Sequence, residues 1–236
     1  MRRMSDTTRQ GPAFGIIVAA GRSERMGGLD KIFAVLMGRP LLAWTLAAFK
    51  QCDAIDGVVV VAAAQSVDRV RDFCAEWRFT KVTAVVAGGD VRQDSVQAGL
   101  EAAAAAAIVA IHDAARPLVT PSIIERGVAL ARETGAALCA IPSRDTVKEV
   151  RGDPPVIRAT PDRAHAWLAQ TPQVFDRALL LEAHGRATAP ATDDAALVEA
   201  LGHTVSVYEG DAWNFKVTTQ DDLIVAEALL RERFAT

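Results

Sequence analysis

Three short segments of this chain carry the residues best suited to chemistry, and all three are rich in groups that hold phosphate. The first is Ala19-Ala20-Gly21-Arg22-Ser23-Glu24-Arg25-Met26-Gly27-Gly28-Leu29-Asp30-Lys31. Small residues directly after a strand let another group approach the backbone, and exposed N–H groups there favour an anion. Arg25 and Lys31 add two fixed positive charges, which a polyphosphate needs and a neutral ligand does not. The spacing matches neither the Gly-x-x-x-x-Gly-Lys-[Ser/Thr] of a Walker A loop nor the Gly-x-Gly-x-x-Gly of a dinucleotide fold. Taken alone, the same residues could form a solvated strand-to-helix turn.

The second segment is Gly88-Gly89-Asp90-Val91-Arg92-Gln93-Asp94-Ser95-Val96. Its glycines allow close approach, while Asp90 and Ser95 put polar groups at a helix start. That arrangement suits either an ordinary capped helix or a wall holding a base and ribose. The third segment is Ile111-His112-Asp113-Ala114-Ala115-Arg116-Pro117. At the end of a central strand, Asp113 would point into the crevice of an open sheet, where a carboxylate can hold Mg²⁺ against phosphate oxygens. Arg116 could neutralise a further phosphate, or the two could simply pair to steady a tight turn. His112 is expected to pack or cap locally and to carry no chemistry.

Such groups need a scaffold, and the hydrophobic pattern supplies one. Apolar strands are expected at Phe14–Ala20, Val58–Ala63, Val82–Val86, Ile108–Ile111 and Ala136–Ile141. Amphipathic helices are expected between them, at Pro40–Phe49, Ser66–Trp77, Arg92–Ala107 and Pro121–Thr134. Continuous apolar strands alternating with helices are the pattern of a parallel sheet covered on both faces. The expected fold is therefore α/β, a doubly wound and mostly parallel sheet, with its site at the carboxyl ends of the strands. From about Ser143 the rhythm breaks. Thr146–Val150 and Val156–Ala159 alternate around Arg151-Gly152-Asp153-Pro154-Pro155, which predicts a protruding β-hairpin arm over about 143–163, half-exposed or covered by a partner. The rhythm then returns with a short strand at Gln173–Phe175, helices at Arg177–Ala187 and Asp193–Leu201, a strand at Val205–Tyr208 and a closing helix over Gln220–Arg233. Residues 1–12 are expected to be a polar tail and 13–236 a single domain.

Composition narrows the class of function. The chain has 236 residues, 50% hydrophobic and 23% charged, with a net charge of −3, so a disordered chain is excluded and a general nucleic-acid binder disfavoured. The longest run of small apolar residues, Ala102–Ile111, is about half of a bilayer span, so no membrane partner is expected. No apolar stretch marks the N-terminus as a signal peptide. Cys52, Cys74 and Cys139 are widely spaced, which predicts buried free thiols in a reducing cytoplasm rather than a disulfide framework or zinc site.

In order along the chain, these motifs resemble the 2-C-methyl-D-erythritol 4-phosphate cytidylyltransferase family of the nucleotidyltransferase superfamily, from Gly15 to about Leu230. Ala-Ala-Gly-x-x-x-Arg-Met followed by Asp-Lys is similar to the superfamily's triphosphate loop. Ser143-Arg144-Asp145-Thr146-Val147-Lys148, Gln170-Thr171-Pro172-Gln173-Val174-Phe175, Ala191-Thr192-Asp193-Asp194-Ala195 and Asn214-Phe215-Lys216-Val217-Thr218 complete the set. One departure is Val18, where many members have Pro, which bears on loop stiffness. The resemblance implies a Rossmann-like nucleotidyltransferase fold that binds CTP through Ala19, Ala20, Gly21, Arg25, Lys31, Gly89, Asp90 and Ser95. It makes Asp113 the metal-linked carboxylate, with Mg²⁺ as the cofactor. Thr171, Thr192 and Lys216 match positions that bind methylerythritol phosphate. Thr146 and Arg163 match residues that reach a neighbouring subunit's site through the arm, which implies a homodimer. Arg25, Lys31 and Lys216 would carry catalysis, Arg116 assisting on the acceptor side. Ribitol-5-phosphate cytidylyltransferases share most of these motifs; a purine nucleotidyltransferase and a non-catalytic nucleotide-binding regulator are the other readings.

Overall fold

The structure, a computed structural model, describes residues 9–21 and 31–235. One seven-stranded sheet organises it. Its strands are β1 (Ala13–Ala19), β4 (Gly57–Ala62), β5 (Val82–Ala87), β6 (Ile108–Asp113), β7 (Ala136–Pro142), β10 (Trp167–Asp176) and β11 (Ser206–Glu209). Short strands β2 (Val35–Leu36) and β3 (Arg39–Pro40) pair separately, as do β8 (Glu149–Arg151) and β9 (Val156–Ala159). In the large sheet the order is β11-β7-β10-β6-β1-β4-β5, parallel throughout except for β10, which runs antiparallel to both neighbours.

Strand side chains divide between two cores with a period of two, as pleating requires. Val58, Val60 and Ala62 of β4 join Ile108 and Ala110 of β6 on one face. There they pack on α1 (Leu41–Gln51), α2 (Val67–Glu76) and α4 (Pro121–Thr134) through Leu46, Phe49, Phe73 and Ile124. Val59, Val61, Val109 and Ile111 face the other way, onto α3 (Arg92–Ala102), α5 (Arg177–Arg186) and α6 (Asp194–Ala200). Burying each such valine contributes about 1.5–3 kcal/mol, which is why these strands read as unbroken apolar runs. A smaller core under α7 (Gln220–Phe234) joins Leu230 and Val217 to Leu36 and Leu118.

The chain runs β1 to β4 to β5 toward one edge, then places β6 on the opposite side of β1. The carboxyl ends of β1 and β6 therefore flank a topological switch point, with Val18 opposite Asp113 in register. Ala19–Gly21, Gly88–Asp90 and Asp113 lie together at this end of the sheet.

Several expectations change. Helix α3 stops at Ala102, not Ala107, because Ala107 already donates its N–H to Pro12 O at the foot of β1. Strand β6 continues two residues beyond Ile111, so His112 and Asp113 belong to the sheet. The short strand expected at Gln173–Phe175 is the buried end of the ten-residue β10. Its polar and Pro-containing middle and exposed Trp167–Ala169 hide the alternation, and its register shifts between Ala169 and Gln173. Residues 9–11 of the expected tail contact β10 and α4. Arg9 pairs with Asp176 at 3.7 Å and donates to Glu133 O, while Arg132 donates to Gly11 O. The arm is exposed along both strands, the first of which begins at Glu149 rather than Thr146. Cys52, Cys74 and Cys139 are buried and free, and burial pushes the thiols of Cys74 and Cys139 up to about 11, so both stay protonated at neutral pH. Among the described residues no helix is long and apolar enough to cross a membrane.

Candidate active site

A cleft of about 800 Å³ opens at the switch point. Ala19, Ala20 and Gly21 at the end of β1 form one wall, and Gly88 to Asp90 beyond β5 form another. Gly88 is required by packing: a Cβ there would lie 2.5 Å from Ser95 Oγ and 2.6 Å from Ala20 Cβ. The two nucleotide-suited segments thus touch, although they are distant in sequence. Ser95 lines the cleft but is buried, and its hydroxyl donates to Val91 O at 3.3 Å. Asp90 is exposed and does not cap the helix; Val91 occupies the N-cap with no side-chain cap bond. The capped-helix alternative therefore leaves Asp90 unexplained, whereas a cleft wall uses it. Arg25 lies outside the described residues, as does the side chain of Lys31.

Asp113 stands at the floor. Lys216 Nζ is 3.0 Å from its Oδ2, Arg116 Nε is 3.6 Å from the same oxygen, and Arg92 Nε is 3.7 Å from Oδ1. Burial alone would push this carboxyl up, but Lys216, then Arg92 and Arg116, outweigh it and hold it down to about 2. Arg92 is shared with Asp194, at 2.8 Å, so three cations here meet two carboxylates and one positive charge is left over. Lys216 owes its place to the segment that carries it. Val217 donates to Ala115 O, Asn214 Nδ2 donates to Thr171 O, and Arg116 NH1 donates to Asn214 O, each at 2.8 Å. No group of three or more His, Cys, Asp or Glu suited to a metal exists among the described residues.

Thr171 and His112 sit behind Asp113. The Asp113 N–H donates to Thr171 Oγ1 at 3.1 Å, so the threonine's own hydrogen goes to His112 Nδ1 at 3.0 Å. That network makes His112 the Nε2–H tautomer, donating to Arg116 O at 3.2 Å. Thr171, expected on the acceptor side, is nearly fully buried with its hydroxyl committed to this chain. His112 is fully buried, and burial pulls its imidazole down to about 4. Because the folded value is depressed below the ordinary 6.5, this histidine's contribution is fully present above pH 6.5 and is lost as pH falls toward 4. Between pH 7 and pH 4.5 it should remove roughly 2–3 kcal/mol of stability. Urea unfolding of His112→Asn at both pH values should show that loss gone; an unchanged loss would mean the folded imidazole protonates normally.

The remaining expected residues are not among those lining the cleft. Thr192 is exposed, two residues before the buried Asp194, and Thr146 and Arg163 lie exposed at the base of the arm, with Arg163 NH1 donating to Arg144 O at 3.3 Å. Sequence reasoning missed Arg92 and Asp194, which pair at 2.8 Å. Both lie inside quoted motifs, but nothing in their spacing announces a partner.

Comparison with known proteins bears directly on this arrangement. A family model described as "IspD: 2-C-methyl-D-erythritol 4-phosphate cytidylyltransferase" matches residues 14–232. A 2-C-methyl-D-erythritol 4-phosphate cytidylyltransferase of Dehalococcoides mccartyi is 44% identical over 217 residues, covering 92% of this chain and 95% of the relative. Among solved structures, a 4-diphosphocytidyl-2C-methyl-D-erythritol synthase from Anaerococcus prevotii aligns with a TM-score of 0.83 at 29% identity, covering 96% of this chain and 100% of the other. A 2-C-methyl-D-erythritol 4-phosphate cytidylyltransferase from Thermus thermophilus aligns with a TM-score of 0.75 at 36% identity, covering 92% of this chain and 98% of the other.

Proposed function

Because the chain belongs to the 2-C-methyl-D-erythritol 4-phosphate cytidylyltransferase family, we propose that its switch-point cleft transfers the cytidylyl group of CTP to 2-C-methyl-D-erythritol 4-phosphate. The products are 4-diphosphocytidyl-2-C-methyl-D-erythritol and pyrophosphate, in non-mevalonate isoprenoid biosynthesis. The observation that carries this reading is Lys216 held against Asp113 at the floor of a cleft whose walls are Ala19–Gly21 and Gly88–Asp90.

In this mechanism an oxygen of the acceptor's phosphate attacks the α-phosphorus of CTP in line. A P–O bond forms there as the bond to the β-phosphate oxygen breaks, and pyrophosphate leaves with the electron pair. A phosphate monoester is already an anionic nucleophile, so no general base is required. The work left to the protein is to force two anions together and to stabilise a charge-dispersed transition state. Lys216 faces that charge from the floor, and Arg25 and Lys31 supply theirs from the first loop. Ala19, Ala20, Gly21, Gly89, Asp90 and Ser95 hold the nucleotide. Thr192 and Arg116 serve the acceptor side, and Thr171 acts by holding the Asp113 backbone.

The donor set around Asp113 suits a magnesium ion that arrives with the triphosphate, since one carboxylate with no companion ligands relies on phosphate oxygens and water. Asp113 would hold that ion, which supplies neutralisation of phosphate charge when bound. The arm completes the active species as a homodimer, Thr146 and Arg163 reaching the neighbouring subunit. Support comes from Val150, Val156, Ile157, Trp167 and Leu168, which are 45–63% exposed in the single chain.

One pyrophosphate-release assay tests the reading, run with CTP, GTP and UTP against methylerythritol phosphate and ribitol phosphate, with and without magnesium. Release with CTP and methylerythritol phosphate alone is expected, and only with magnesium. Preference for ribitol phosphate or for GTP would reassign the substrate, and silence with every pair would indicate a nucleotide-binding regulator.

A further inference from the structure

Arg92 does something the charge inventory of the cleft does not require. It is the first residue of α3 and moves with the Gly88–Asp90 wall, yet its NH1 reaches away from the cleft to Asp194 Oδ2 at 2.8 Å. Its Nε lies 3.7 Å from Asp113 Oδ1. One guanidinium therefore ties together the nucleotide wall, the end of β6 and the start of α6.

Asp194 makes this tie difficult to release. Its side chain is 1% exposed, and its other oxygen receives His184 Nε2–H at 3.3 Å. A carboxylate buried this deeply is strongly destabilising once its cation is withdrawn, so the start of α6 must follow wherever Arg92 goes. The neighbouring Asp193 is already engaged, capping α6 through Ala196 N and receiving Gln173 Nε2 at 2.8 Å. The two-residue approach to α6, which carries Thr192, is thereby set relative to Asp113 through Arg92.

We propose that Arg92 and Asp194 form a positioning strut that sets the acceptor-side loop at Thr192 against the nucleotide wall, and that its role in turnover is to orient the acceptor phosphate rather than to bind CTP. The proposal rests on the reading of the cleft given above. Asp194 does not line the cleft, so its charge acts only through Arg92. A misplacement of about 1 Å at a reacting centre can cost up to about 100-fold in rate.

The test uses Asp194→Asn, Arg92→Lys and the double variant in the full chain. Asp194→Asn keeps the shape and the His184 contact; Arg92→Lys keeps the charge but cannot span two carboxylates. Each single variant is expected to raise KM for methylerythritol phosphate at least about tenfold, and in Asp194→Asn the Kd for CTP, measured by calorimetry without acceptor, should change less than about twofold. The double variant should be no worse than the more damaged single one, because both remove the same strut. Unchanged acceptor kinetics in both single variants would overturn the proposal. So would equal weakening of CTP and acceptor, which would mark a general loosening of the fold or direct contact of Arg92 with the triphosphate. Failure of the unaltered protein to release pyrophosphate would instead overturn the reading of the cleft. A double-mutant cycle in urea unfolding, which needs no substrate, still reads the pairing: zero coupling there overturns the strut.

Discussion

Lys216→Ala is expected to lower kcat/KM for cytidylyl transfer at least about 100-fold, the equivalent of about 3 kcal/mol of transition-state stabilisation. The ammonium stands 3.0 Å from Asp113 Oδ2 on a segment pinned by three backbone-directed bonds. It is therefore preorganised. Arg92 and Arg116 remain beside Asp113 when the ammonium is removed, so the loss should appear chiefly in activity. Arg25→Ala and Lys31→Ala are expected to lose as much, since two anions must be held together on one face of the cleft. Pyrophosphate release at saturating and subsaturating CTP, with thermal unfolding alongside, checks the prediction. A loss below tenfold in all three variants would remove the electrostatic account.

The second large effect is a gain. Arg163→Ala and Lys216→Ala homodimers should each be nearly inactive, but mixing them should restore activity if Arg163 serves the neighbouring subunit's site. In the mixed dimer, the subunit keeping Lys216 faces the partner that keeps Arg163, so one site is whole and the other doubly damaged. Random reassociation makes half of the dimers mixed, giving roughly a quarter of the unaltered activity. Arg163 is exposed and, among the described hydrogen bonds, its side chain makes one, to Arg144 O at 3.3 Å. Activity of the mixture equal to the mean of its parents would confine the arm to an ordinary interface.

Much of the fold was legible because its signals are local. Unbroken runs such as Val58-Val59-Val60-Val61 can be satisfied only by a strand with helices on both faces, and the two cores divide those residues alternately. The glycine-rich walls and Asp113 were legible for the same reason, since each follows directly on such a strand. β10 was not. Its outer three residues are exposed and its middle is polar, so neither alternation nor an apolar run marks the ten residues that pair with both β6 and β7. His112 was expected to pack or cap locally; the structure adds its tautomer and its partner Thr171, which depend on β10 lying beside β6.

What the amino-acid order determined by itself was the alternation of elements, the three phosphate-suited segments and the family they belong to. Each depends on residues within a few positions of one another. Tertiary structure alone decided that Ala19–Gly21, Gly88–Asp90 and Asp113 share one cleft, that Lys216 meets Asp113, and that Arg92 reaches Asp194. Those pairings join residues far apart in the chain. Their distances follow from the strand order, and a buried charge accepts whichever opposite charge the sheet brings within reach.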